Sequence, residues 1–189
     1  MAFRIIVMGA SLGGTQVLAQ ILSAIPRDFS FPVAIAQHRG RKIGDGLLPA
    51  LQYNCSLPVL EPEDKQPIRA GQVFVAPADY HLLVDRNGFV LSKEAPEFHS
   101  RPSIDVLFET AADAFFSGVI GVILTGSSRD GARGTARIKA LGGVVVVQDP
   151  ATAENRVMPA AAIESANVDK VLGPGEIGAF LTQLTQTRS

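Results

Sequence analysis

Short apolar runs alternate along the chain with segments whose apolar positions recur at helical spacing. Phe3 to Met8 is apolar except for Arg4 and predicts a buried strand. Gly9 to Gly14 reads as a tight glycine-rich turn. From Thr15, the apolar residues Val17, Leu18, Ile21, Leu22 and Ile25 keep to one helical face until Pro26 ends it. Phe31 to Ala36 predicts a second strand, ending at Gln37-His38. Arg39 to Gly46 is a polar loop, and Gly46 to Tyr53 a helix.

The middle of the chain has a different rhythm. Gln72 to Ala76 predicts a strand, and Leu82–Asp85 and Phe89–Ser92 flank Arg86-Asn87-Gly88. Asn-Gly between two apolar runs is a strong hairpin signal. A small antiparallel patch over residues 72–92 is therefore expected beside the main sheet. Ile104, Leu107, Phe108, Ala111, Ala112 and Phe115 then mark an amphipathic helix entered through Pro102-Ser103. Val119 to Leu124 is a strand, 131–141 a helix closed by Gly142-Gly143, and Val144 to Gln148 a strand. Short helices are expected over Met158–Glu164 and Glu176–Leu184.

Strands apolar on both faces and separated by helices predict an α/β fold. The expected architecture is doubly wound: a mostly parallel sheet, helices on both faces, and a small hairpin addition. In such folds the ligand site lies beyond the carboxyl ends of the strands. With 189 residues, 47% hydrophobic and 19% charged, the chain suits a single domain, 1–189, with a sizeable core. A net charge of -1 argues against binding nucleic acid by bulk charge. One cysteine, Cys55, excludes an internal disulfide and reads as a plain packed residue. Three histidines make a multi-His metal site unfavourable. The apolar runs fall short of a membrane span, and the first is too short for a signal peptide core, so a cytoplasmic protein is expected.

Three chemically capable residues stand at predicted strand ends. Gly9-Ala-Ser11-Leu-Gly13 has the Gly-x-Ser-x-Gly form of a nucleophile on a strand-to-helix turn. Ser11 could equally cap the following helix, and such glycines also serve phosphate-binding turns. His38 follows the second strand. Asp130 follows the Val119–Leu124 strand and precedes a helix, so a capping role competes with a chemical one. Together the three supply the nucleophile, base and orienting acid of an activated serine.

The chain resembles the catalytic domain of the CheB-type chemotaxis receptor methylesterases. The resemblance rests on five segments in order: Gly9 to Gly14, Gln37-His38, Ala76 to His81, Arg101 to Phe108, and Gly121 to Gly126 with Asp130-Gly131. It implies a protein-glutamate methylesterase that hydrolyses glutamate γ-methyl esters on the cytoplasmic helices of chemotaxis receptors. Deamidation of receptor glutamines is accessible to the same chemistry. It implies Ser11, His38 and Asp130 as a catalytic triad, and N–H groups around Leu12 and Ser127 as oxyanion donors. No metal or organic cofactor, no nucleic acid and no membrane insertion are implied.

This sequence also departs from the family pattern. Ser127 stands where a methionine is usual, Leu12 where a smaller residue is, and Ser100 where a histidine often precedes Arg-Pro-Ser. Near Glu154 to Pro159, only Met158-Pro159 is clearly family-like. The chain begins at the first catalytic strand with no receiver domain, as an excised domain or a stand-alone esterase would. Arg39, Arg41, Lys42, Arg129 and Arg133 flank the three residues, either as a solvated rim or as docking charge for acidic helices. His81 and His99 read as structural or pocket-lining. Two other readings compete. One is a nucleotide-binding oxidoreductase, although Gly-x-Gly-x-x-Gly spacing is absent and no acid ends the second strand. The other is a non-catalytic module that keeps the fold and binds receptor or signalling partners.

Overall fold

The computed structural model describes residues 4–39 and 46–186. The chain opens with β1 (Ile5–Ala10), α1 (Gly14–Ser23), β2 (Val33–Gln37) and α2 (Leu47–Asn54). β3 (Val59–Leu60), β4 (Val73–Val75) and the pair β5 (His81–Asp85) and β6 (Gly88–Ser92) follow. α3 (Ile104–Phe115), β7 (Val119–Ile123), α4 (Ala132–Ala140) and β8 (Val144–Gln148) come next. α5 (Val157–Ser165), β9 (Lys170–Leu172) and α6 (Pro174–Gln186) complete it. The Arg39–Gly46 loop lies largely outside the described residues.

Seven strands form one sheet in the order β3-β4-β2-β1-β7-β8-β9, parallel throughout. β1 shows why both faces must be covered. Ile6, Met8 and Ala10 join an apolar layer with Leu18, Ile21 and Leu22 of α1 and Ile177 and Leu181 of α6. Ile5 and Val7, pointing the other way, join Ile104, Leu107 and Phe108 of α3 and Ile138 of α4. The doubly wound α/β expectation holds. Among the described residues no helix is long and apolar enough to cross a membrane.

Three details differ from expectation. β1 runs on through Gly9 and Ala10, so the turn is confined to Ser11-Leu12-Gly13. β4 belongs to the parallel sheet, where it pairs with β2, and not to the antiparallel patch. Its three residues are all buried, as a strand covered on both faces requires. β5 and β6 form their own two-stranded sheet, docked by Phe89 against Phe74 with ring centroids 4.7 Å apart. The edge strands β3 and β9 were not anticipated; at two and three residues they are too short to show a period.

Strand register brings the site together. Ala10 of β1 lies opposite Gln37 of β2, and Gly9 opposite Ile123 of β7. The residues just beyond these strand ends therefore emerge side by side. His38 N donates 2.9 Å to Ala10 O, and Ser11 N donates 2.9 Å to Thr125 O.

Candidate active site

Ser11 sits in the turn between β1 and α1, and it does not cap the helix. The N-cap of α1 is Gly13, at φ 76°, a left-handed conformation that glycine adopts without steric cost. Gly14 N donates 2.9 Å back to Ser11 O, which closes the turn. On the other side Gly126 comes so close that an added Cβ would lie 2.9 Å from Ser11 Cβ and 2.5 Å from Met158 Cε. The small residues around Ser11 thus leave its side chain room at a cavity of about 500 Å³, shared with His38, Ser100 and Ser127.

Gln37 locks the serine turn to the histidine. Its side-chain nitrogen donates 2.8 Å to Ser11 O and 2.9 Å to His38 O. The His38 ring lies between two oxygens. Nε2 is 2.7 Å from Asp130 Oδ2, and Nδ1 is 3.2 Å from Ser100 Oγ. Asp130 is fully buried and the His38 side chain is 9% exposed. An ionised Asp130 makes Nε2 the protonated nitrogen of a neutral His38 and leaves Nδ1 to accept from Ser100 Oγ; Ser11 Oγ makes no hydrogen bond to the ring.

Asp130 caps a helix, but not the one that follows it. The N-cap of α4 is Gly131, without side-chain assistance. Asp130 reaches across to the start of α3 instead. Its Oδ1 accepts from Ser103 Oγ at 2.9 Å and from Asp105 N at 2.9 Å, and its Oδ2 accepts from Ile104 N at 2.7 Å. Burial alone would raise its pKa and is the largest single influence. The hydrogen bonds from His38 and from the N–H groups of Asp105 and Ile104, with the His38 charge, outweigh it and leave the carboxyl below its usual range. Asp130 therefore stays ionised at neutral pH.

His81 supports this arrangement from below. It is 2% exposed; its Nδ1 accepts from Ser103 N at 3.1 Å and its Nε2 meets Ala95 O at 3.1 Å. These partners assign the proton to Nε2 and give His81 a structural role. His99 lines the cavity. The N–H groups of Leu12 and Ser127 have no hydrogen-bond partner among the described residues. Ser127 lines the cavity, whereas Leu12 is 50% exposed beside Ser11. Phe98, Ser100, Arg101 and Asp79 also line it and were not anticipated as site residues; they come from loops without periodicity. Cys55 is buried and free, and burial pushes its thiol pKa up.

Three of the five flanking cations, those among the described residues, are engaged within the molecule. Arg39 pairs with Glu61 and donates to Ala76 O; Arg129 pairs with Glu164, and Arg133 with Glu97 and Glu109. Arg41 and Lys42 lie outside the described residues.

A parallel α/β sheet that brings a serine and a histidine to one cavity, with a buried carboxylate bonded to the histidine, has the make-up of a serine esterase. The chain belongs to the CheB methylesterase family, whose model matches residues 6–181. It is 43% identical over 187 residues to a Leptospira interrogans protein named for protein-glutamate methylesterase and protein-glutamine glutaminase activity. That alignment covers 98% of this chain and 97% of the relative. It is 40% identical to the protein-glutamate methylesterase/protein-glutamine glutaminase 2 of Anaeromyxobacter dehalogenans, covering 97% of this chain and 54% of that one. The crystal structure of the Thermotoga maritima CheB methylesterase catalytic domain superposes with a TM-score of 0.92 at 32% identity, covering 97% of this chain and all of that one.

Proposed function

We propose that this single domain is a cytoplasmic serine hydrolase that demethylates glutamate γ-methyl esters on chemotaxis receptor helices, with Ser11 as nucleophile, His38 as base and Asp130 as orienting acid. The observation that carries this reading is the 2.7 Å contact of His38 Nε2 with Asp130 Oδ2 at the cavity that Ser11 lines. Ser11 Oγ attacks the ester carbonyl while His38 Nδ1 takes its proton. The tetrahedral oxyanion meets the free N–H groups of Leu12 and Ser127, each worth roughly 3 kcal/mol to the transition state. His38 then returns the proton to the leaving methoxide oxygen, and methanol departs. Water repeats the sequence on the acyl-enzyme and frees the glutamate. A glutamine side chain enters the same cycle with ammonia as the leaving group.

The competing oxidoreductase reading has no support in the site. Gln37 ends β2 and His38 follows it, so no acid stands there to hold a ribose. The deciding experiment is methanol release from carboxyl-methylated receptor cytoplasmic fragments by the wild type and by Ser11→Ala. The wild type should turn over and the variant should be silent while folding normally. Equal release from both would remove Ser11 from the chemistry. A folded wild type that binds the fragments and releases nothing would leave the non-catalytic reading.

A further inference from the structure

The turn that brings Ser100 to His38 has an unusual backbone. Glu97 and Ser100 face each other across it; Ser100 N donates 2.8 Å to Glu97 O, and Glu97 N donates 3.1 Å to Ser100 O. The two residues between them, Phe98 and His99, have φ values of 46° and 61°. Positive φ at both central residues marks the I′ type of hairpin turn, whose favoured occupants are Asn and Gly. Histidine is among the residues that enter this region more readily, but a phenylalanine there is an outlier. Such conformations persist where the surroundings over-determine them, and they gather at functional sites.

The surroundings here do hold the turn. Arg133 pairs with Glu97 at 2.7 Å and also with Glu109 of α3. One residue beyond the turn, Arg101 bonds Asp79 at 2.7 Å and the carbonyls of Lys93 and Glu94 at 2.8 Å each. The anchored turn holds a large ring at the cavity mouth: Phe98 lines the cavity and is 50% exposed. Leu12, next to Ser11, is exposed to the same degree. Neither the strained backbone nor the wetted ring stabilises the free protein.

We propose that the Phe98-His99 turn is a specificity lip, in which Phe98 packs on the substrate chain beside the esterified side chain. This rests on the methylesterase reading above. A modified glutamate on a helix shares its face with the residues three and four positions away. A ring at the cavity mouth meets those neighbours once the ester reaches Ser11, and small or apolar ones bury it. A small ester without a helix around it gains nothing from Phe98. The lip therefore acts on discrimination between protein-borne and free esters.

The test is the double substitution Phe98→Asn with His99→Gly, which gives the turn its favoured residues and keeps Ser100. Two substrates are compared: a carboxyl-methylated receptor fragment and a small N-blocked glutamate γ-methyl ester. The melting temperature should hold or rise, because strain is relieved. The ratio of kcat/KM on the protein to kcat/KM on the small ester should fall about tenfold, as expected for losing part of one ring's burial. Phe98→Tyr, which keeps the ring, should keep the ratio. An unchanged ratio in the double variant, or a lowered melting temperature, overturns the lip while leaving the methylesterase reading intact. A wild type that releases methanol from neither ester overturns both.

Discussion

Ile104 N and His38 Nε2 share a single acceptor, Oδ2 of Asp130, at 2.7 Å each. One oxygen thus caps α3 and orients the histidine. In Asp130→Asn the amide oxygen can keep only one of the two carboxylate positions. If it keeps the Ser103 and Asp105 bonds of Oδ1, the amide nitrogen faces the Ile104 N–H, donor against donor. The same nitrogen forces Nε2 of His38 to accept, which moves the ring proton to Nδ1, the nitrogen proposed to act as base. Turnover should fall by up to about 10⁴-fold. Stability should fall as well, by about 1–3 kcal/mol, for a buried N–H left without an acceptor. Methanol release and thermal melting on one preparation read both. Near-normal turnover in a folded variant would take Asp130 out of the mechanism.

The proposed oxyanion donors give a second test. Ser127 lines the cavity with a backbone N–H that has no partner among the described residues. Ser127→Met changes the side chain and leaves that N–H in place. Most of the activity should survive, measured as kcat on the methylated receptor fragment. A loss of about a hundredfold, the size expected for removing a donor, would mean that the Ser127 hydroxyl itself contributes.

The approach of Gly126 to Ser11 gives a third. A Cβ at 126 would lie 2.5 Å from Met158 Cε and 2.9 Å from Ser11 Cβ. Methionine can move its end, but the serine turn is fixed by Gln37 and by Gly14. Gly126→Ala should therefore displace Ser11 by a few tenths of an ångström and lower kcat about tenfold or more, with a smaller effect on KM. Unchanged kcat with a lowered melting temperature would assign Gly126 to packing alone.

Much of this site was legible because it hangs on strands β1, β2 and β7. Their residues are buried without exception, so their ends are visible in the sequence; Ser11 and His38 directly follow β1 and β2, and Asp130 closes the loop that follows β7. What was not legible depends on chain crossings. Asp130 meets the N–H groups of Ile104 and Asp105 from 26 and 25 residues away, and Ser100 meets His38 from 62. The α3 start carries its own Ser103 cap, so nothing local announced a second one. The loop from β6 to α3 has no period from which Phe98, Ser100 or Arg101 could be placed at the cavity. β4 was assigned to the antiparallel patch because it precedes the Asn-Gly hairpin. Its unbroken burial, with no polar face, is what distinguishes it.

Asp105 carries the last prediction. It is fully buried at the start of α3, where Oδ1 accepts from Gly134 N at 2.7 Å and Oδ2 has no partner among the described residues. Burial raises its carboxyl most. The Gly134 N–H and Arg133 pull the other way, while the charges of Asp130 and Glu109 add to the rise, and the result is a pKa of about 6. In the unfolded chain the group returns to its usual value near 3.8. Between those values the folded protein binds more protons than the unfolded one, so stability falls as pH rises through the interval. The contribution is complete below pH 4 and lost above pH 6, and it amounts to about 3 kcal/mol for a shift of this size. Asp130 has the opposite sign, and its stability is lost only as pH drops below the ordinary carboxylate range, outside this window. Asp105→Asn cannot titrate. The melting temperature of the variant relative to wild type should therefore climb from pH 4 to pH 6.5 and then level off, whatever constant offset the buried amide introduces. The other carboxylates are common to both proteins and cancel in the difference. A difference that stays flat across the interval would show that Asp105 is already ionised at pH 4 in the folded protein.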